Sequence, residues 1–280
     1  MAILHRRTAR SLACVAVLGS LAMAGCKTID SNDTTGSIAL SAKPRSQAEW
    51  RRESEAQGAR YRADPRDPEA ALAYAQALRA LGQRAQAVSV LQQASMQHPN
   101  NTALLGAYGR ALAAAGDYNQ ALDVLGHAHT PDQPDWRILS AQGAVLDQMG
   151  RHEDAQGYYS TALKMVPDEP SVLSNLGLSY ALAKDLTKAE ATLRQAVERP
   201  GADPRVRQNL ALVVGLQGRF PEAESIARAD LPPEEAAANV AYLKQMLSEH
   251  NERRKTASAA RPASRKPAPR ERAAGLFIER

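Results

Sequence analysis

The sequence predicts an all-α fold, a solenoid of about five two-helix repeats closed by capping helices. Three observations predict it. Apolar residues fill 44% of the 280 positions but aromatics only 4%, with alanine and leucine supplying most of the apolar content. That mixture suits close-packed helices better than a sheet. From residue 68 onward the chain repeats itself every 34 residues. Each 34-residue frame holds two amphipathic stretches about a dozen residues long around a short turn, as in "ALLGAYGRALAAAGDYNQALDVLGHA".

The elements follow in chain order. Residues 1–25 have a basic start (Arg6, Arg7, Arg10), an apolar run from Leu12 to Met23, and small residues Ala24 and Gly25 before Cys26. This is the layout of a secretory signal peptide. Only 16 positions separate Arg10 from Lys27, fewer than the roughly 17 to 25 apolar residues of a spanning helix. The expectation is export and cleavage. Cys14 and Cys26 are the only cysteines, one inside the apolar run and one closing it, so no disulfide is expected. Met23-Ala24-Gly25-Cys26 resembles the bacterial lipobox, which implies diacylglycerol on the Cys26 thiol, cleavage just before it and acylation of the new amino group. A thiolate nucleophile beside small side chains suits that chemistry, and several acyl chains anchor stably where one does not. In lipoproteins an Asp after the cysteine often means inner-membrane retention. Lys27 stands there instead, so the resemblance implies the outer membrane, with the chain facing the periplasm. Residues 26–46 are polar and turn-rich and read as a flexible tether, with a reach of about 25 Å as a random coil.

Residues 47–252 form the repeat domain. Ser46 with Glu49 three residues on is a capping box for a helix over 47–63, half a repeat that closes the array. From Ala87, steps of 34 reach Ala121, Ala155, Ala189 and Ala223. From Gly82 they reach Gly116, Gly150, Lys184 and Gly218; from Leu78, Leu112, Leu146, Tyr180 and Val214. The glycines suit the positive φ that ends a helix, and the alanines suit close approach of paired helices. A last helix is expected at about 234–251, because each repeat of a solenoid buries its face only on its neighbours.

Small at repeat position 8, apolar at 11, glycine near 15, alanine at 20, bulky at 24, alanine at 27 and proline near 32 is a pattern matched by Gly143, Leu146, Gly150, Ala155, Tyr159, Ala162 and Pro167. It resembles the tetratricopeptide repeat. The resemblance implies a right-handed superhelix whose first helices line a concave partner-binding groove. It carries over to Ser140, Asn175, Leu178, Leu182, Asn209 and Leu212 as groove residues, with Gln148, Ser174, Gln208 and Leu216 beside them. An asparagine amide can donate to and accept from an extended peptide backbone. Two alternatives stay open: a C-terminal helix covers Leu212 and Leu216, or the asparagines serve their own helices. Lys184 in place of glycine, Gln133 in place of proline and Asp230 in place of alanine depart from the pattern.

No catalytic or metal-binding constellation stands out. His127 and His129, two apart, fall on opposite sides of a helix and make a poor metal pair; His152 beside Glu153 reads as solvated. The expectation is no enzyme, no metal and no cofactor beyond the lipid on Cys26, with protein partners and neither nucleic acid nor a small-molecule substrate. The basic excess belongs to the ends. Residues 1–25 carry three arginines and no acid, residues 253–280 carry nine Lys/Arg against two Glu, and the stretch between is net acidic. Residues 253–280 read as a disordered basic tail, whose closing "GLFIER" holds one of only two phenylalanines and reads as an end without a role of its own or, alternatively, as a short docking motif.

The lipobox together with "GRALAAAGDYNQALDVL", "LSAQGAVLDQMGRHEDAQGYY", "PSVLSNLGLSYALAKDLTKAEATLRQA" and "NVAYLKQMLSE" resembles the TadD family, the tetratricopeptide lipoproteins of tight-adherence (Flp) pilus systems, over about residues 1–250. That resemblance implies an outer-membrane adaptor that assembles or positions the secretin or another pilus component. The alternatives are an adaptor for another envelope machine, in outer-membrane protein assembly or peptidoglycan remodelling, and an envelope hydrolase on a helical scaffold.

Overall fold

The computed structural model describes residues 46–130 and 132–259. The signal segment, Cys26, the tether up to residue 45 and residues 260–280 lie outside the described residues. The regular elements among the described residues are twelve helices, and none of them is long and apolar enough to cross a membrane. The fold class is the all-α helical-repeat solenoid expected from the 34-residue period. The chain divides into two units, up to Val124 and from Leu125.

The first unit holds α1 (Gln47–Ala63), α2 (Pro68–Ala80), α3 (Arg84–Gln97), α4 (Thr102–Ala115) and the start of α5 (Tyr118–His127). The capping box forms: Glu49 N–H donates to Ser46 Oγ at 3.2 Å, and Ser46 N–H to Glu49 Oε2 at 2.5 Å. Helix α1 packs through Trp50, Gly58 and Tyr61, all buried. Tyr61 stacks at 5.8 Å on Tyr74 of α2 and donates to Gln93 of α3. The pairing of α2 with α3 carries a bond from Gln86 to the Tyr74 hydroxyl at 3.0 Å, and its 34-residue counterpart joins Gln120 to Tyr108 at 3.2 Å.

The second unit continues with α6 (Trp136–Gln148), α7 (His152–Met165), α8 (Pro170–Leu182), α9 (Leu186–Val197), α10 (Pro204–Leu216), α11 (Phe220–Ala227) and α12 (Pro233–Ala259). Between α5 and α6, where Gln133 replaces the proline, Thr130 and Gln133 close a turn, with Gln133 N–H donating to Thr130 O at 3.1 Å.

The same local chemistry punctuates both units. The first helix of every repeat is capped by a side chain at a 34-residue step: Asp67, Asn101, Asp135, Glu169 and Asp203 each accept a backbone N–H at 2.7 to 3.3 Å. Such a cap satisfies one of the orphan donors of a helix start. The same helices end with a backbone N–H returning to the carbonyl five residues back, in the Leu78 series. Gln83, Asp117, Arg151, Asp185 and Arg219 donate to the carbonyls of Leu78, Leu112, Leu146, Tyr180 and Val214 at 2.9 to 3.2 Å. The residue inside this turn has positive φ each time, and Lys184, at 68°, is the one non-glycine.

Small residues set the spacing of the pairs. Ala87, Ala121, Ala155, Ala189 and Ala223 are all 0% exposed. A Cβ on Gly143 would lie 2.7 Å from the Tyr159 ring, and one on Gly177 would lie 2.6 Å from Leu193 Cγ. No larger residue fits without moving the helices apart.

Two details differ from expectation. Asp230, at a step where the pattern has alanine, is clamped by Arg207 with two bonds at 2.5 and 2.6 Å. This bidentate pair holds the turn after the eight-residue α11 against α10. Helix α12 also runs to Ala259, past the expected boundary at 252. Nothing from Asn251 to Ala259 is glycine or proline, so the backbone meets no breaker there. Thr256 Oγ1 bonds back to the Glu252 and Arg253 carbonyls.

Candidate partner-binding face

The candidate residues gather in the second unit, on the first helices of successive repeats. Ser140 is on α6, Ser174 and Asn175 on α8, and Asn209 on α10. Asn175 Nδ2 donates to Ser140 Oγ at 3.2 Å, and Asn209 Nδ2 donates to Ser174 Oγ at 3.0 Å. The two bonds are one bond repeated by translation along the array. Each stitches neighbouring first helices together, so the asparagines serve the joint between repeats rather than their own helices. Only part of each amide is consumed. An asparagine offers two donors and an acceptor, and among the described residues the second N–H and the carbonyl oxygen of both have no partner.

Leu178 and Leu212 stand three residues on from the two asparagines, on the same helix face; Leu182 and Leu216 stand one turn further. Leu212 is 38% exposed, and the other three are half-buried. Helix α12 does not cover Leu212. It packs on the flank of α10, with Ala236 beside Ala211, Val240 against Val213 and Val214, and Leu243 filling the notch at Gly215. In effect α12 occupies the place of a sixth first helix. Gln148 is exposed and Gln208 half-buried. The face is uncharged at these positions, polar at its start and apolar toward α12.

A second constellation escaped the sequence reading. Asp147, at the end of α6, is buried and accepts three hydrogen bonds: from His152 Nδ1 at 2.8 Å, Tyr159 Oη at 3.1 Å and Ser179 Oγ at 2.8 Å. His152 is therefore not solvated beside Glu153 as expected, but turned onto Asp147. Burial, then the charge and hydrogen bond of Asp147, push the Tyr159 phenol far up, so it stays a donor. The available signal was an acid at a repeat step that holds Arg79, Ala113, Ala181 and Gly215 in the other repeats. A serine, a histidine and an aspartate meet here, but not as a nucleophilic relay. Ser179 is 0% exposed and gives its proton to the aspartate rather than to the imidazole, whereas catalysis needs a reachable nucleophile bonded to its base. The network ties α6, α7 and α8 together. Among the described residues no three His, Cys, Asp or Glu side chains gather as metal ligands would, and His129 bonds Gln142 at 3.3 Å.

Paired helices, a glycine turn between them and a small-on-bulky notch at a 34-residue period match family models described as tetratricopeptide repeat, over residues 78–143 and 140–205. Over residues 78–205 the repeats are tetratricopeptide repeats. A search of curated protein sequences gave no match. Among solved structures, the chain is similar to PilW, described as a widely conserved type IV pilus biogenesis factor, at 19% identity and a TM-score of 0.58, over 69% of this chain and 91% of that one. It is similar to TTC0263, a thermophilic tetratricopeptide protein of Thermus thermophilus, at 21% identity and a TM-score of 0.54, over 60% of this chain and 91% of that one. It also resembles a chain of the Cut9–Hcn1 hetero-tetramer of the APC/C, at 16% identity and a TM-score of 0.55, covering 70% of this chain but 40% of that one. These likenesses are likenesses of fold.

Proposed function

We infer that the chain is a non-catalytic adaptor, held at the periplasmic side of the outer membrane by lipid on Cys26, that grips an extended segment of a pilus-assembly protein on the serine–asparagine face of its second unit. The observation that carries the binding step is the pair of half-used amides, Asn175 and Asn209. They are fixed in one orientation by Ser140 and Ser174 and flanked by the leucines of α8 and α10. Amides held at a regular step can exchange hydrogen bonds with an extended backbone, while Leu178, Leu182 and Leu212 take its apolar side chains. Pre-ordering by the serines lowers the entropy lost on binding.

Lipid on Cys26 sets the location. Confinement to a surface raises effective concentration, so a modest affinity suffices. The assignment to a tight-adherence (Flp) pilus, with its secretin as the partner, rests on the sequence resemblance from the lipobox to "NVAYLKQMLSE". Its fold is one that a type IV pilus biogenesis factor also uses.

The test is a crosslinking capture from intact envelopes with wild type, Cys26→Ser and Asn175→Ala/Asn209→Ala. Wild type recovers a secretin or another pilus component, the asparagine double variant loses it, and Cys26→Ser leaves the membrane fraction. Recovery of other envelope machinery in place of pilus components leaves an adaptor and removes the pilus assignment. Undiminished capture by the double variant removes the face.

A further inference from the structure

We propose that the segment Leu276-Phe277-Ile278 of this same chain docks on the apolar end of that face, so that the adaptor covers its own binding surface until a partner displaces it. The proposal rests on the reading of the face as a binding surface and names its resident occupant.

Three observations carry it. First, the apolar stripe continues beyond α10 onto α12. In the regular repeat, Asp147 meets Ser179 of the next first helix. Gly215, at the same step as Asp147, meets Leu243 of α12. Leu243 therefore stands at the register of Ser179, and the residue before it, Tyr242, at the register of Leu178 and Leu212. Tyr242 is 44% exposed and Leu212 38%; Met246, one turn after Tyr242, is half-buried. By this register Leu178, Leu212 and Tyr242 fall in one row across α8, α10 and α12, with Leu182, Leu216 and Met246 in a second. Two large apolar side chains this exposed on one continuous face mark an interaction surface.

Second, the chain outside the described structure has the length to reach it. From Tyr242 to the end of α12 at Ala259 is a rise of about 25 Å, at about 1.5 Å per residue. The residues from 260 to 275 span at most about 53 Å when extended, enough to return along α12 and deliver residue 276 to Tyr242. An intramolecular tether of this kind gives an effective concentration on the order of millimolar, so a weak contact is well populated.

Third, the occupant has matching chemistry. Residues 276–278 are the one apolar triplet after residue 259, in a tail whose other residues are mainly Arg, Lys, Pro, Ala and Ser. Residues 253–280 carry nine basic side chains, whereas the stretch from 26 to 252 is net acidic. Charge therefore draws the tail to the repeats and steers its approach, and the Leu-Phe-Ile triplet finds the row of Leu178, Leu212 and Tyr242. An aromatic anchor seated in an apolar row is the usual centre of such a contact.

The experiment uses the full chain with a photoactivatable phenylalanine analogue at position 277, irradiated at low concentration and mapped by mass spectrometry. The expected result is an intramolecular crosslink to the peptides carrying Leu178, Leu212 or Tyr242, lost in a Leu212→Asp variant whose circular dichroism is unchanged. Crosslinks that join two copies, that fall only elsewhere, or that persist in Leu212→Asp overturn the proposal. A second readout is the envelope capture described above, repeated with Phe277→Asp. Release of the tail raises apparent affinity by the reciprocal of the open fraction, about tenfold if the tail covers the face nine-tenths of the time. An unchanged capture by Phe277→Asp overturns self-covering and leaves the binding face standing. If Asn175→Ala/Asn209→Ala has no effect on capture either, the binding face falls with it.

Discussion

The two units use one repeat for different ends. In the first, the polar side chains of the paired helices are spent inside the pair, Gln86 on Tyr74 and Gln120 on Tyr108. The steps that would face a partner there hold Leu72, Ala73, Gln76 and Ala80, then Gly106, Ala107, Arg110 and Ala114. In the second, the corresponding steps hold serines, asparagines and leucines, and the polar bonds run between successive first helices. The punctuation is shared: acid or amide caps, positive-φ turns and fully buried alanines. What the comparison teaches is that the period carries the fold, while the residues the period leaves unspecified set the two units apart.

The largest effect expected is from Asp147→Ala, in the second unit. It leaves the buried hydroxyls of Tyr159 and Ser179 without their acceptor, at about 1–3 kcal/mol each. A fall in urea midpoint of matching size is expected, and a midpoint near wild type would break the claim that this network ties α6 to α8.

A matched pair of double variants sharpens the comparison directly. Tyr74→Phe/Tyr108→Phe removes two bonds from the first unit and Asn175→Ala/Asn209→Ala two from the second, each bond contributing about 0.5–1.5 kcal/mol. The stability losses should be similar, but only the asparagine variant should lose partner capture. Equal loss of capture in both would dissolve the distinction.

Smaller, and opposite in sign, is Lys184→Gly. It restores glycine at φ 68° and should raise stability by about 0.5–1 kcal/mol, read as a higher melting temperature.

The smallest effect concerns acid. Burial raises the Glu190 carboxyl, but bonds from Arg219, Arg194 and Gln217 outweigh it and hold its pKa at about 2. The folded value is below the ordinary 4.5, so this network stabilises the fold above pH 4.5 and the contribution fades as pH falls toward 2. Glu190→Gln should reduce the dependence of the urea midpoint on pH between 5 and 2.5. Arg194 and Arg219 are substantially exposed, so the change is modest.

The fold was legible because its determinants recur: any residue type that returns at every step of 34 declares its role by returning. The Ala87 and Gly82 series gave the helix pairs and their turns, and Lys184 kept the glycine conformation although it broke the pattern. The N-cap series from Asp67 to Asp203 was equally periodic but mixes Asp, Asn and Glu, so identity hides what chemistry repeats. The candidate face was legible as positions and not as bonds. That Asn175 and Asn209 share one step of the first helices is a matter of register, but that each grips a serine 35 residues back depends on the offset between neighbouring helices. The Asp147 network was hidden for the opposite reason. It occurs once, and its members come from the end of one helix, the start and middle of the next, and the far end of a third.

That single occurrence has a consequence for how the chain can change length. Repeat arrays gain and lose units when genetic exchange joins equivalent borders, and most borders here are interchangeable because the same alanine, glycine and cap meet on each side. The border between α7 and α8 is not. Ser179 belongs to one repeat and Asp147, His152 and Tyr159 to the one before, so an exchange there strips the buried acid of its Ser179 donor. This joint carries a fully buried side-chain bond, and these two repeats are the pair expected to be inherited as a block.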